Sequence, residues 1–438
     1  QAVLAAGCGS VAGGVMGMQS TVLVLSHGHP AIRPGGGENA AYALHGELLR
    51  QGAWRSVFLA AAPAEHFQEG EDLRPCSAAD TAGSEWLVKA SNDWLTYQSA
   101  CSLLNGSPLH QLVCDLQPQV ISVHQIMHLG LDLILRLRDW CPQARIVYTL
   151  HEFLLLCPFN GQLKTREGLY CQGPTPLGCR QCLPEISSEL LLLRSARIQL
   201  LIDQVDCFIS PSRVVKDCFV AWGIAPERIE VIANCLADLQ PEPLSLVRDK
   251  SALHSVFGFF GNCSEAKGLD LVLEAMLGLV RRQSEARLVV HGPVQRLLEE
   301  GIPRRDPYAI KLQHLLAQLG DHVSCPGPYR QEEIPRLMGR VGWVLMASRW
   351  LENAPVVIQE SLACRRPLLV PALGGMAEHV RNGLDGLHFS PDSSASLQEQ
   401  MERICREPQL WADLQRSLAA PLSIDVALKS HFEVFRGA

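Results

Sequence analysis

The chain has 438 residues, 47% of them hydrophobic and 19% charged, with 16 cysteines and a formal net charge of -7 at pH 7. That length allows two or three domains, the balance is ordinary for a globular protein, and the negative charge gives no electrostatic case for nucleic acid as a partner. No apolar run reaches the roughly 18 residues of a spanning helix, and cysteines such as Cys114, Cys207, Cys218, Cys364 and Cys405 stand singly in apolar runs. Such cysteines behave as small hydrophobes of a reducing compartment, so cytoplasm is the expected location.

Residues 1–20 are small and apolar with no basic segment ahead of them, and read as a trimmed or mis-started leader or, alternatively, a signal peptide. A strand is expected at 21–25, then a loop over 26–37 and a helix over 38–51. Strand, glycine-rich turn and helix let backbone approach a ligand at a helix N-terminus, and Gly35, Gly36 and Gly37 stand at that turn. A strand at 56–61 precedes a polar, irregular segment, 63–108, that is either a functional insertion or a surface subdomain with its own core. Strand 119–124, helix 127–140 and strand 145–150 predict a right-handed β-α-β unit in a parallel sheet. His151 follows the carboxyl end of that last strand, where open α/β sheets place ligands. His124 and His128 are weaker candidates, since a lone histidine at a strand end is more often structural.

Cys157, Cys171, Cys179 and Cys182 lie in a glycine- and proline-rich stretch ending in C-x-x-C. They could bind structural zinc through thiolates, or stand as free or redox-active thiols, the spacing being wide for a zinc ribbon. Helix 190–204, strand 206–210 and a helix opened by Pro211 and Ser212 complete a first domain, 21–236. A polar linker, 237–255, separates it from a second α/β domain, 256–410, with helical patterns continuing over 411–438. The second domain opens with strand 256–260, a glycine-bearing loop and Lys267 at a helix start, where a solvated first-turn lysine is the plain reading. Strands at 287–291, 322–325 and 341–347 follow. Pro355 suits a first helical position, so a helix is expected to about residue 364, then a strand at 367–370. Glu352 thus precedes a helix N-terminus and Glu360 lies about 7 Å further along its axis. Two carboxylates flanking free backbone N–H groups suit a ligand with both phosphate and sugar, a nucleotide sugar; an amphipathic helix with an acidic first turn is the plainer alternative.

E-N-A-P-V-V-I-Q-E from Glu352 to Glu360, with Ser348, Arg349 and Trp350 ahead of it and Gly374 to Gly383 behind, resembles the E-x7-E signature of family 4 retaining glycosyltransferases. Gly35-Gly36-Gly37-Glu38, the T-L-H-E ending in Glu152 and the cysteine loop, present in one branch of that family, extend the likeness along the chain from about Val22. The resemblance implies a GT-B fold: two Rossmann-like domains facing a cleft, acceptor on the first, nucleotide-sugar donor on the second, and a C-terminal helix crossing back. It implies Glu360 for the ribose, Glu352 for the transferred sugar, Lys267 for the diphosphate, His151 near the reaction centre, and Gly36 and Gly37 for close backbone approach. Asn262, Asn353, Ala354, Pro355, Gly374 and Gly375 complete the implied donor site. Asn262 stands where many relatives carry arginine, and Arg349 is the candidate replacement cation. Retention without a catalytic metal is implied, with a glycan or lipid-linked acceptor in cell-surface polysaccharide synthesis, cytoplasmic and peripheral to the inner membrane face. A nucleotide-sugar epimerase of the same fold, or a binding protein that has lost turnover, are the alternatives.

Overall fold

Val22, Leu23, Val24 and Leu25 are all 0% exposed, as a strand covered on both faces requires; such unbroken apolar runs mark parallel sheets between helix layers. The computed structural model describes residues 20–33, 35–52, 54–77, 83–171, 173–234, 253–294 and 306–437. The expected leader, save residue 20, and most of the expected linker lie outside those residues.

The first sheet contains β1 (Thr21–Ser26), β2 (Arg55–Ala62), β3 (Leu73–Pro75), β4 (Glu85–Lys89), β5 (Val120–His124), β6 (Arg145–Thr149), β7 (Cys207–Ser210) and β8 (Ile229–Val231). Their order is β3-β4-β2-β1-β5-β6-β7-β8, parallel throughout except for the β3–β4 hairpin. The second sheet contains β9 (Val256–Phe260), β10 (Arg287–His291), β11 (Val323–Gly327), β12 (Trp343–Leu345), β13 (Leu368–Pro371) and β14 (Gly386–Phe389), ordered β11-β10-β9-β12-β13-β14 and parallel. This is the doubly wound α/β pair that the motifs imply.

The pleat sorts each strand between two cores. Leu23 and Leu25 join one apolar cluster, Val22 and Val24 the other, because successive side chains leave a strand on opposite faces. The second of these clusters includes Ala427, Leu428, Val434 and Phe435. They belong to helix Ile424–Arg436, so the end of the chain packs back on the first sheet; Arg145 Nε donates to Val434 O at 2.7 Å there. The helical patterns expected over 411–438 are two helices, Pro408–Ser417 and Ile424–Arg436. Pro421 lies between them and cannot extend a helix. The irregular 63–108 segment contributes the β3–β4 hairpin to the sheet edge.

Strand order reverses on either side of β1 and β5 in the first sheet and of β9 and β12 in the second. Crevices open outside the carboxyl ends of strands at such points. His27, Gln125, Gly261 and Ala347, each next to or shortly after one of these strands, line one shared cleft of about 370 Å³.

Candidate active site

Two helix N-termini meet at this cleft. Helix Gly36–Gln51 and helix Val356–Ala363 both begin without a side-chain cap, and a methyl group built on Gly36 would touch Val356 Cγ2 at 3.5 Å. The first-turn N–H groups of a helix have no partner within it, so two uncapped starts side by side make a pocket for an anion.

The cation and one carboxylate of the site are bonded to each other. Lys267 Nζ donates to Glu352 Oε1 at 2.6 Å, Ser348 Oγ donates to the same oxygen at 2.6 Å and Trp350 Nε1 at 2.8 Å. Three donors converge on Oε1, while among the described residues none bonds Oε2. The Lys267 ammonium stands 5.3 Å from the centre of the Trp350 ring, which restrains it further. Gly268 brings the lysine in: its φ of +69° is left-handed, and a Cβ there would meet Ala347 O at 2.1 Å, so only glycine allows this approach to the end of β12.

On the opposite wall, His151 Nε2 lies 2.8 Å from His124 Nδ1, and His124 Nε2 lies 3.2 Å from Ser122 Oγ. Burial drives the His151 imidazole down to about 4 and His124 well below its ordinary value. Both rings are neutral near pH 7, and the His124 contact fixes the orientation of His151. Burial also raises the Glu152 carboxyl to about 7. His27 Nε2 is 2.6 Å from Glu38 Oε1; desolvation works to raise the Glu38 carboxyl, and the His27 hydrogen bond and charge outweigh it, so the group sits below its usual range.

Of the residues singled out by the sequence, His151, Glu352, Lys267, Gly36, Gly37, Asn262, Asn353, Ala354 and Pro355 all line the cleft. Glu360 is 4% exposed, one turn inside its helix, and burial alone raises its carboxyl to about 7. Gly374 and Gly375 sit behind the loop that carries Glu352 and Asn353: a Cβ on Gly375 would meet Asn353 O at 1.6 Å, and Gly375 N–H donates to Glu352 O at 2.7 Å. They hold the backbone that carries Glu352.

Arg349 does not replace the missing arginine. It forms a bidentate pair with Asp270, at 2.6 and 2.8 Å, and donates to Asp392 at 2.7 Å. Two carboxylates consume its charge and direct it away from the cleft. The sulfurs of Cys157, Cys171, Cys179 and Cys182 also fall short of a shared metal position, since no three of them lie within 4.8 Å of one another. His27, Glu38, Gln125, Glu152 and Asn234 were missed as site residues. Only Glu38 and Glu152 carried a sequence signal, each being the last residue of a motif.

The family described as Glycosyltransferase Family 4 matches residues 34–237, and the one described as Glycosyl transferases group 1 matches residues 249–418. Alpha-D-kanosaminyltransferase of Streptomyces kanamyceticus is 27% identical over 166 residues, 37% of this chain and 39% of that protein. D-inositol 3-phosphate glycosyltransferase of Gordonia bronchialis is 25% identical over 237 residues, 51% of this chain and 50% of that protein. The chain thus matches half or less of the length of these curated relatives. The crystal structure of Anabaena HepE in complex with UDP and glucose covers 96% of this chain and 100% of its own, with a TM-score of 0.63 and 17% identity, a likeness of fold. Among the described residues no helix is long and apolar enough to cross a membrane.

Proposed function

Because the chain belongs to the family 4 glycosyltransferases of GT-B fold, we propose that it transfers a sugar, with retention, from a nucleoside diphosphate sugar to a hydroxyl group of a glycan or lipid-linked acceptor. The observation that carries this reading is the pairing of Lys267 with Glu352 beside two uncapped helix N-termini. A diphosphate leaving group gains charge as the glycosidic bond breaks, and a fixed ammonium with aligned N–H groups stabilises that charge without reorganising. Glu352 would then exchange its lysine for hydroxyls of the transferred sugar, and Glu360 would accept from the ribose. Neutral His151, held by His124, offers a hydrogen bond to the reacting sugar from the other wall. The cation and the two helix dipoles supply the stabilisation for which other transferases use a divalent metal.

HepE's complex with UDP and glucose makes uridine diphosphate sugars the first donors to test. Cell-surface polysaccharide synthesis at the cytoplasmic membrane face is the setting that this acceptor class suggests. Incubating purified protein with a panel of nucleotide sugars and short glycan acceptors, and following the anomeric proton of the product by NMR, tests the proposal. Retained configuration without added metal is expected. Release of an epimerised nucleotide sugar in the absence of acceptor would overturn it.

A further inference from the structure

We propose that His29, Cys76 and Glu85 form a second site, outside the cleft, for a single zinc-class cation. Their ligand atoms all lie within 4.8 Å of one another, alone among the described groups of three or more such side chains.

The chain brings them together by two routes. In the β3–β4 hairpin, Pro75 pairs with Trp86, and Cys76 N–H donates to Glu85 O at 2.9 Å. Cys76 and Glu85 are therefore the next facing pair, and side chains opposite one another in an antiparallel ladder leave on the same side. His29 comes from the loop after β1, and its Nε2 stands 3.2 Å from Glu85 Oε2.

Around tetrahedral zinc, nitrogen and oxygen ligands at about 2.0–2.2 Å stand roughly 3.3 Å apart, with sulfur slightly farther. The observed separation suits two ligands of one ion as well as it suits a hydrogen bond. Imidazole, thiolate and carboxylate together favour zinc over calcium or magnesium, which take oxygen shells. The surroundings orient the set. Tyr42 OH donates to Glu85 Oε1 at 2.9 Å, which leaves Oε2 as the oxygen toward His29, the kind of outer contact that ligating carboxylates receive. The His29 ring is only 4% exposed, edge-on to Tyr42 at 5.4 Å and to Phe58 at 5.7 Å. The Glu85 side chain keeps 24% of its surface, enough for entry of the ion and for water as fourth ligand.

Loading releases one proton, from the Cys76 thiol as it becomes a thiolate. The ring proton that His29 shares with Glu85 moves to Nδ1, giving up the 3.2 Å contact from Ala31 N–H. The ion then ties the loop after β1 to the edge hairpin. His27, two residues away, lines the cleft, so the site would stiffen the acceptor wall rather than take part in transfer.

The full chain, stripped with a chelator, is titrated with cobalt(II) and then with zinc against a chromophoric chelator. One equivalent with a thiolate-to-cobalt band is expected, weakened at least tenfold in Cys76→Ser and in Glu85→Gln and unchanged in Cys179→Ser. Circular dichroism of the stripped proteins checks their folding. Glu85→Gln keeps an acceptor for Tyr42, so it decides the matter if Cys76→Ser does not fold. Unaltered binding in Glu85→Gln, loss of the band in Cys179→Ser, or no stoichiometric binding by the parent chain overturns the proposal.

Discussion

Lys267→Ala separates recognition of the diphosphate from recognition of the nucleoside. The lysine side chain is 32% exposed and its partner Glu352 only 8%, with 2.6 Å between the charged atoms. Truncation removes the cation and leaves a carboxylate facing the space that the phosphates would fill. The hydrogen bond from the ammonium to a phosphate that is lost with the side chain contributes about 2–3 kcal/mol to binding, within the range for hydrogen bonds to charged groups. The loss corresponds to roughly 30- to 150-fold weaker binding of UDP, with uridine changed less than about threefold. Calorimetric titration of both ligands into the parent and variant proteins gives the ratio directly. Glu352→Gln is the companion: its amide oxygen still accepts from Ser348 and Trp350 and Lys267 is released, so UDP affinity holds while transfer falls about 10²-fold. Equal losses of uridine and UDP in Lys267→Ala, or unchanged UDP affinity, would refute the assignment.

Glu360 carries its own pH signature. With its carboxyl raised from 4.5 to about 7, the folded chain holds a proton that the unfolded chain releases, so stability falls as pH rises through that window. At about 1.4 kcal/mol per pH unit, Glu360→Gln should be more stable than the parent by about 3 kcal/mol at pH 8 and equal to it below pH 4.5, as read by denaturant unfolding. His151 has the opposite sign. Its imidazole is lowered to about 4, so the parent loses stability as pH falls from about 6.5, and His151→Gln should flatten that limb while lowering kcat about 10²-fold. Gly375→Ala places a Cβ 1.6 Å from Asn353 O and should cost more than about 3 kcal/mol, seen as a lower melting temperature. Arg349→Met should reduce stability through the loss of its Asp270 pair and leave the UDP-to-uridine affinity ratio unchanged, since Arg349 lies off the cleft.

Much of this architecture was legible because its signals are local. Apolar runs such as 22–25, proline at a helix start and glycines beside a strand end report backbone conformation directly, and the central strands of both sheets follow from them, while β3, β4, β8 and β14 did not read as strands. The cleft residues of the E-x7-E segment were legible for the same reason. What escaped depends on pairing across the chain. Arg349 reads as a spare cation until Asp270, 79 positions away, claims both its terminal nitrogens. Gly374 and Gly375 were placed in the donor site by resemblance, and sequence does not tell that the Asn353 carbonyl is what comes close to Gly375. His27 and Gln125 have no motif of their own; their place is set by which strands become neighbours of β1.

Asn353 shows why the two halves of the site work as one. Its side chain donates to Leu150 O at 2.7 Å and accepts from Ser212 Oγ at 3.2 Å, both in the first domain, while the adjacent Glu352 bonds Lys267 in the second. Leu150 immediately precedes His151. Glu378, three residues beyond Gly375, fastens the same interface by accepting from the backbone N–H groups of Arg213 and Val214 at 2.8 and 3.0 Å, the start of a helix whose dipole favours a carboxylate. A rotation that opens the cleft would break the Asn353 contacts and carry the loop bearing Glu352 away from the strand end that precedes His151. The proposed roles of Glu352 and His151 therefore depend on the contacts that Asn353 and Glu378 make across the cleft, since those contacts bring the two walls together.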